Sequence, residues 1–251
     1  MTVVRLPKKL KNEPLIDAIF GVQFSSSVPA SSILPGILFS QIMKPNKKIE
    51  RLPIADIPFQ IRNADPVLRF QHLLRLHFGD FLVLIGDSSL SVASVMPYIG
   101  WTAFKLKIIE VFQLIDDMKI IETIDRYSLK YVNIVAGDSI AEQIDKINVD
   151  IKVGKHELKS ETFNVRVEIP RDNLLQIVQI AASAIVTLPN NETRSGVLID
   201  IDTICNYKTD NINTLLKELP DRLQLIHDVS KTMFFECLKP ETIDSMEPLY
   251  E

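Results

Sequence analysis

The residue types best suited to chemistry lie on two short stretches. In the first, Val197, Ile199, Ile201 and Thr203 alternate with Leu198, Asp200, Asp202 and Ile204, so Asp200 and Asp202 project from one face of a strand. Paired carboxylates hold Mg²⁺ or divide acid and base roles, which makes these two the candidate metal ligands of a hydrolase or nuclease. No third carboxylate or histidine stands at a spacing that completes the site. The plainer expectation is that they face solvent or pair with basic residues of neighbouring strands. The second stretch runs Arg126-Tyr127-Ser128-Leu129-Lys130-Tyr131-Val132-Asn133. Arg126, Ser128 and Lys130 share one parity, and Tyr127, Leu129, Tyr131 and Asn133 the other. Tyr98, Arg126, Lys130, Tyr131 and Asn133 are the candidate binding residues. Arg and Lys suit a phosphate backbone, and exposed tyrosines suit base stacking.

The remaining chemistry-bearing residues do not converge. His72 and His77 fall on opposite faces of one strand and reach a common metal only through a bulge. His156 lies in a Lys- and Glu-rich connector, and His227 and Asp228 are helix neighbours that do not face each other. There is no phosphate-cradling glycine loop, nucleophile elbow or paired-cysteine zinc motif, and the chain has only 8 glycines. No cofactor is expected, and the balance leans away from an enzyme.

These residues need elements to position them. Leu15–Phe24 reads as a strand. Ser31 and Ser32 are expected to cap a helix over Ile33–Ile42, with Pro35 in its first turn. The span 45–58 reads as a solvated loop. From Phe59 to Ser94 the period shifts to two. Phe70, His72, Leu74, Leu76 and Phe78 share a face, and turns at Gly79-Asp80 and Gly86-Asp87-Ser88 complete an antiparallel meander. Trp101, Phe104, Ile108, Val111, Phe112 and Ile115 form a helical stripe, with Trp101 expected to be buried, and Ile120–Val135 returns as a strand. In the second half, a strand from Phe163 stops at Pro170; Leu174–Thr187 fits helix or strand and is read as a strand because turn residues flank it and a strand follows, and the Val197 segment is a strand. A helical stripe follows from Ile212 to Met233, expected to divide at Pro220. The order of elements gives an α+β fold of antiparallel sheets covered by helices. It suggests two similar half-units, 1–137 and 138–251, packed as one unit with a junction at Gly137–Gly154.

Bulk properties narrow the function classes. The chain has 251 residues, 28 basic and 32 acidic side chains and a net charge of −4, which argues against general affinity for nucleic acid but leaves room for a local basic patch. Cys205 and Cys237 are the only cysteines, too few for a disulfide framework. The first residues lack the apolar run of a signal peptide. The most apolar stretch, Leu174–Val186, is interrupted by Gln176, Gln179 and Ser183 and is too short to span a bilayer. A cytoplasmic protein with no membrane partner is expected.

Several segments together resemble a sporadically distributed family of uncharacterised prokaryotic proteins of about this length. They are Pro14-Leu15-Ile16-Asp17-Ala18-Ile19-Phe20, Leu90-Ser91-Val92, Pro97-Tyr98, Gly100-Trp101 with Phe104, the positions Arg126, Leu129, Lys130, Tyr131 and Asn133, Leu198-Ile199-Asp200-Ile201-Asp202, and His227 with Phe234 and Leu238-Lys239-Pro240-Glu241-Thr242. Ser128 and Lys130 stand where that family more often has glycine and arginine, and Ala93 where asparagine is common; lysine does not reproduce a guanidinium fork. The resemblance implies no established activity. Its patchy distribution is that of transferred cargo, including phage-defence and toxin–antitoxin loci.

Three functions follow as expectations. The first is a non-enzymatic binding or assembly subunit with a protein partner, such as an operon neighbour or a second copy. The second is a nucleic-acid- or nucleotide-binding module using the basic and aromatic strand. The third is a metal-dependent hydrolase or nuclease centred on Asp200 and Asp202.

Overall fold

The structure, a computed structural model, describes residues 6–42, 47–116, 119–188, 191–209 and 212–250. Along the chain the elements are β1 (Lys9–Leu10), β2 (Leu15–Ser26), α1 (Ala30–Gln41), β3 (Lys48–Arg51), a 3-10 turn (Pro53–Asp56), α2 (Phe59–Ala64), β4 (His72–His77), β5 (Phe81–Gly86), β6 (Ser89–Ser94), α3 (Trp101–Asp116) and β7 (Ile121–Ala136). There follow α4 (Ile140–Asp145), β8 (Lys152–Val153), β9 (His156–Glu157), β10 (Asn164–Arg171), β11 (Leu174–Thr187), β12 (Thr193–Thr209), α5 (Ile212–Glu236), α6 (Pro240–Ser245) and β13 (Pro248–Leu249). This is an α+β fold, and its described strand registers are antiparallel.

The chain divides into two compact units. Unit 1 comprises Met1–Ile16, Lys130–Thr203 and His227–Glu251, and unit 2 comprises Asp17–Leu129 and Ile204–Ile226. Each takes residues from both sides of residue 137, and β2, β7, β12 and α5 contribute to both.

In unit 1 the strand order is β10-β11-β12-β7. Alternation sends Val178 and Ile180 of β11 and Val197, Ile199 and Ile201 of β12 into one core with Met233, Phe234 and Phe235 of α5. Burying each such side chain contributes about 1.5–3 kcal/mol relative to leaving it in water. Ser139 caps α4: its hydroxyl accepts from the Glu142 N–H at 3.2 Å, while the Glu142 carboxylate accepts from the Asp138 N–H at 2.8 Å. This reciprocal cap puts a helix inside the expected junction. Strand β10 runs through Pro170 rather than stopping there, because it is an edge strand and a missing N–H costs nothing on the open side.

In unit 2 the order is β7-β2-β6-β5-β4-β3. Helix α3 lays Phe104, Ile108, Val111, Phe112 and Ile115 against the sheet, and Phe112 meets Phe20 of β2 edge-on at 5.6 Å. Trp101 is half-buried, not buried, because its indole N–H reaches out to the Gln224 side-chain oxygen at 3.0 Å.

Other expectations need correction. Helix α1 starts at Ala30 behind Pro29, without a serine cap, and Pro35 lies inside it. Ser31 donates instead to Asp87 at 2.5 Å. Part of the expected loop is the edge strand β3, held by pairing to β4. Phe59–Ala64 is helical behind Pro58, and a bulge between His72 and Leu74 breaks the parity of β4, so Leu73 and Leu76 are its buried residues. Helix α5 continues through Pro220, because Leu219 and Leu223 are buried on either side and hold the two turns together.

A buried ion pair ties the meander of unit 2 to its helices. Arg62 of α2 donates through Nε and Nη2 to Asp87 Oδ2 at 3.0 and 2.7 Å, and its Nη1 reaches the Ile57 carbonyl. Asp87 sits in the β5–β6 turn, and its own carbonyl accepts from the Ala30 N–H at 3.0 Å. Both side chains are about nine-tenths removed from solvent.

Candidate functional site

In unit 1, Lys130 of β7 and Asp200 of β12 meet across neighbouring strands, Nζ to Oδ2, at 2.7 Å. Asp200 is thus turned to a lysine rather than to a shared site with Asp202. Among the described residues no group of three or more His, Cys, Asp or Glu side chains is placed to hold a metal ion. Tyr131 points the other way, is 8% exposed and hydrogen-bonds His227 Nδ1 at 2.9 Å. Asn133 is buried on that same inner face. The pair's partial exposure keeps its contribution small: Lys130→Ala is expected to lower stability by less than about 1 kcal/mol in a urea titration.

Tyr98 and Arg126 belong to unit 2. Both are half-buried, and the Tyr98 ring packs edge-on against Phe104 at 5.9 Å. Tyr127, beside Arg126, is buried and takes a hydrogen bond from Arg222 Nη1 at 3.1 Å. Arg222 also lies 4.0 Å above the Tyr207 ring and donates through Nε to Glu218 at 2.7 Å. Burial is the main reason the Tyr127 phenol is held above its ordinary pKa, so this group of side chains satisfies itself and stays unionised at the tyrosine.

The outer face of the unit 1 sheet carries a different signal. The positions between its core residues are Val132 on β7, Leu198 and Asp200 on β12, and Leu175, Ile177 and Gln179 on β11, all half-buried. Strand alternation places them opposite the core, and the Lys130–Asp200 pair lies among them. An antiparallel sheet with one solvated face normally turns polar residues outward; here four of the positions are aliphatic.

A second constellation was not legible as such in the sequence. In unit 2, His72 of β4 hydrogen-bonds through Nε2 to Ser91 Oγ of β6 at 2.9 Å, reaching past the intervening β5. The residue opposite His72 on β5 is Gly86, where a Cβ would collide with Ser89 Oγ and the Gln71 carbonyl. On the other side Ser91 faces Gly21 of β2. A Cβ there would stand 2.9 Å from Ser91 Oγ and 4.0 Å from Ser128 Oγ. At both glycines the place of a Cβ is taken by a neighbour, the Ser91 hydroxyl at Gly21 and the Ser89 hydroxyl and Gln71 carbonyl at Gly86, so this part of the sheet packs closely on bare backbone. Burial lowers the His72 pKa from 6.5 to about 4, so the ring is neutral near pH 7. Glycines inside alternating strands were the one sequence-level hint.

No family model and no curated protein matches this chain.

Proposed function

We propose that the protein is a binding or assembly subunit that docks a protein partner on the outer sheet face of unit 1, a face that performs no chemistry. One observation carries this reading: Val132, Leu175, Ile177 and Leu198 occupy outward positions that a solvated sheet face would give to polar residues. The Lys130–Asp200 pair at 2.7 Å supports it, because charges neutralised within the chain bring no unpaired ion into an interface. The patchy distribution of the family it resembles fits a partner encoded beside it in a mobile defence or toxin–antitoxin type locus, and the proposed setting is the cytoplasm. The nucleic-acid alternative draws less support, since Tyr131 is buried and Lys130 is engaged.

The test is co-expression with the products of adjacent genes, followed by light scattering on the purified chain alone and on each mixture. A discrete complex is expected. Ile177→Asp or Leu198→Asp should weaken it at least about tenfold, as one buried charge facing an apolar partner would, while the melting transition stays cooperative. A chain that remains monomeric at every concentration, and with every neighbour, removes the proposal.

A further inference from the structure

The far end of β11 offers unit 1 a second contact, separate from the sheet face proposed above for docking. We propose that residues 183–187 pair edge to edge with the same stretch of a second copy of the chain, antiparallel across a twofold axis through Ile185.

The border is open because its neighbour stops early. Strand β10 accompanies β11 from Leu174 to Ala181, where Asn164 is the last partner, and the Phe163 carbonyl then accepts the Ala182 N–H at 3.0 Å. Ser183 follows in a left-handed backbone, with φ 64°, and gives its N–H to the Gln143 side-chain oxygen at 2.7 Å. That turn of the backbone ends the β10 ladder. Strand β11 runs on to Thr187 beside β12, and among the described residues no strand pairs with its other border beyond Ala182. Backbone groups on such a border are a ready template for another strand.

The residues there select a copy of themselves. From Leu174 to Leu188 no side chain is charged and none is proline, whereas the edge strand β3 of unit 2 carries Lys48, Glu50 and Arg51. The end of β11 therefore lacks the usual devices that repel an incoming strand. Ile185 is 71% exposed, Ser183 and Thr187 are exposed with it, and Ala184 and Val186 are half-buried. A partner that covers Ile185 removes apolar surface from water. The order Ser-Ala-Ile-Val-Thr also reads alike in both directions, with a hydroxyl at each end and three aliphatic residues between. Turned antiparallel on itself, it sets Ile185 against Ile185 of the second copy and Ala184 against Val186. The hydroxyls of Ser183 and Thr187 meet at the ends. Apolar pairs and Ser–Thr pairs are favourable across strands, and the twofold axis makes each unlike pair twice. So short a ladder buries less than the roughly 1,200 Å² of a standard interface, so the dimer is weak and forms as concentration rises.

Sedimentation velocity on the purified full chain, from micromolar to near-millimolar concentration, reads the association. Monomer passing to dimer is expected, with no larger species. Ile185→Lys sets like charges opposite each other across the axis and should raise the dissociation constant at least about tenfold, with an unchanged melting transition because the side chain is exposed. Ile185→Cys should crosslink two copies when oxidised glutathione is added, since directly opposed residues of antiparallel strands lie within disulfide reach; Cys205 and Cys237 are buried and do not compete. A monomer at every concentration overturns the proposal. So does a dimer that survives Ile185→Lys and fails to crosslink through Ile185→Cys. A dimer lost in Ile177→Asp but kept in Ile185→Lys overturns it too, while leaving the docking face in place. Should Ile185→Lys fail to fold, the crosslink decides alone.

Discussion

Replacing Asp87 by alanine is expected to lower the unfolding free energy by about 3–5 kcal/mol. The carboxylate accepts two bonds from Arg62 and one from Ser31. Its removal leaves a guanidinium sealed among α1, α2 and the β5–β6 turn with no anion to offset its lost hydration. The size of the effect comes from the abandoned charge rather than from the intrinsic value of the pair. Two further variants separate these contributions. Asp87→Asn keeps an acceptor and should cost less than alanine, whereas Arg62→Met combined with Asp87→Leu should recover most of the loss. Urea titrations at one pH read all three. A loss below about 1 kcal/mol for Asp87→Ala would mean that this pair does not hold the helices to the meander.

Acidification supplies the second large effect. His72 titrates at about 4 in the folded chain against 6.5 as its ordinary value, because burial disfavours the charged ring. Below pH 6.5 the unfolded chain binds a proton there that the folded chain refuses until about pH 4. Stability is therefore flat above this window and falls as pH drops through it. The full change is about 3 kcal/mol, at roughly 1.36 kcal/mol per unit. Other groups also respond to acid, so the informative quantity is the difference between the unaltered protein and His72→Gln at pH 7 and at pH 4.5. The variant should lose distinctly less stability between the two conditions. Parallel losses would show that His72 is not held neutral by its surroundings.

The sequence conveyed periodic, well-packed elements and missed those stabilised by context. The α3 stripe was readable because Phe104, Ile108, Val111, Phe112 and Ile115 all face the core. The alternation of β12 was readable for the same reason, but it left open whether Asp200 faces solvent or a basic neighbour; the Lys130 contact at 2.7 Å needs the neighbouring strand in place. Strand β3 was not, since Lys48–Arg51 is mostly exposed and carries no apolar alternation; its conformation comes from β4. The bulge at His72 was invisible as well, because an extra residue in a strand leaves no compositional mark. The His72–Ser91 contact was hidden for a related reason: it joins β4 to β6 across β5, a relation that exists only once the register is set.

Strand β10 bears on how this molecule behaves in a crowded solution. An open sheet margin invites another chain to add itself, strand by strand, into a fibril. Here the margin offers no amide hydrogen at Pro170, and Arg166 and Glu168 pair at 2.5 Å on one of its faces. A newcomer would forfeit a backbone bond at the proline and strip water from both ions. Growth past this border is discouraged, which leaves the broad surface of the sheet and the short free end of β11 as the places where unit 1 can be approached.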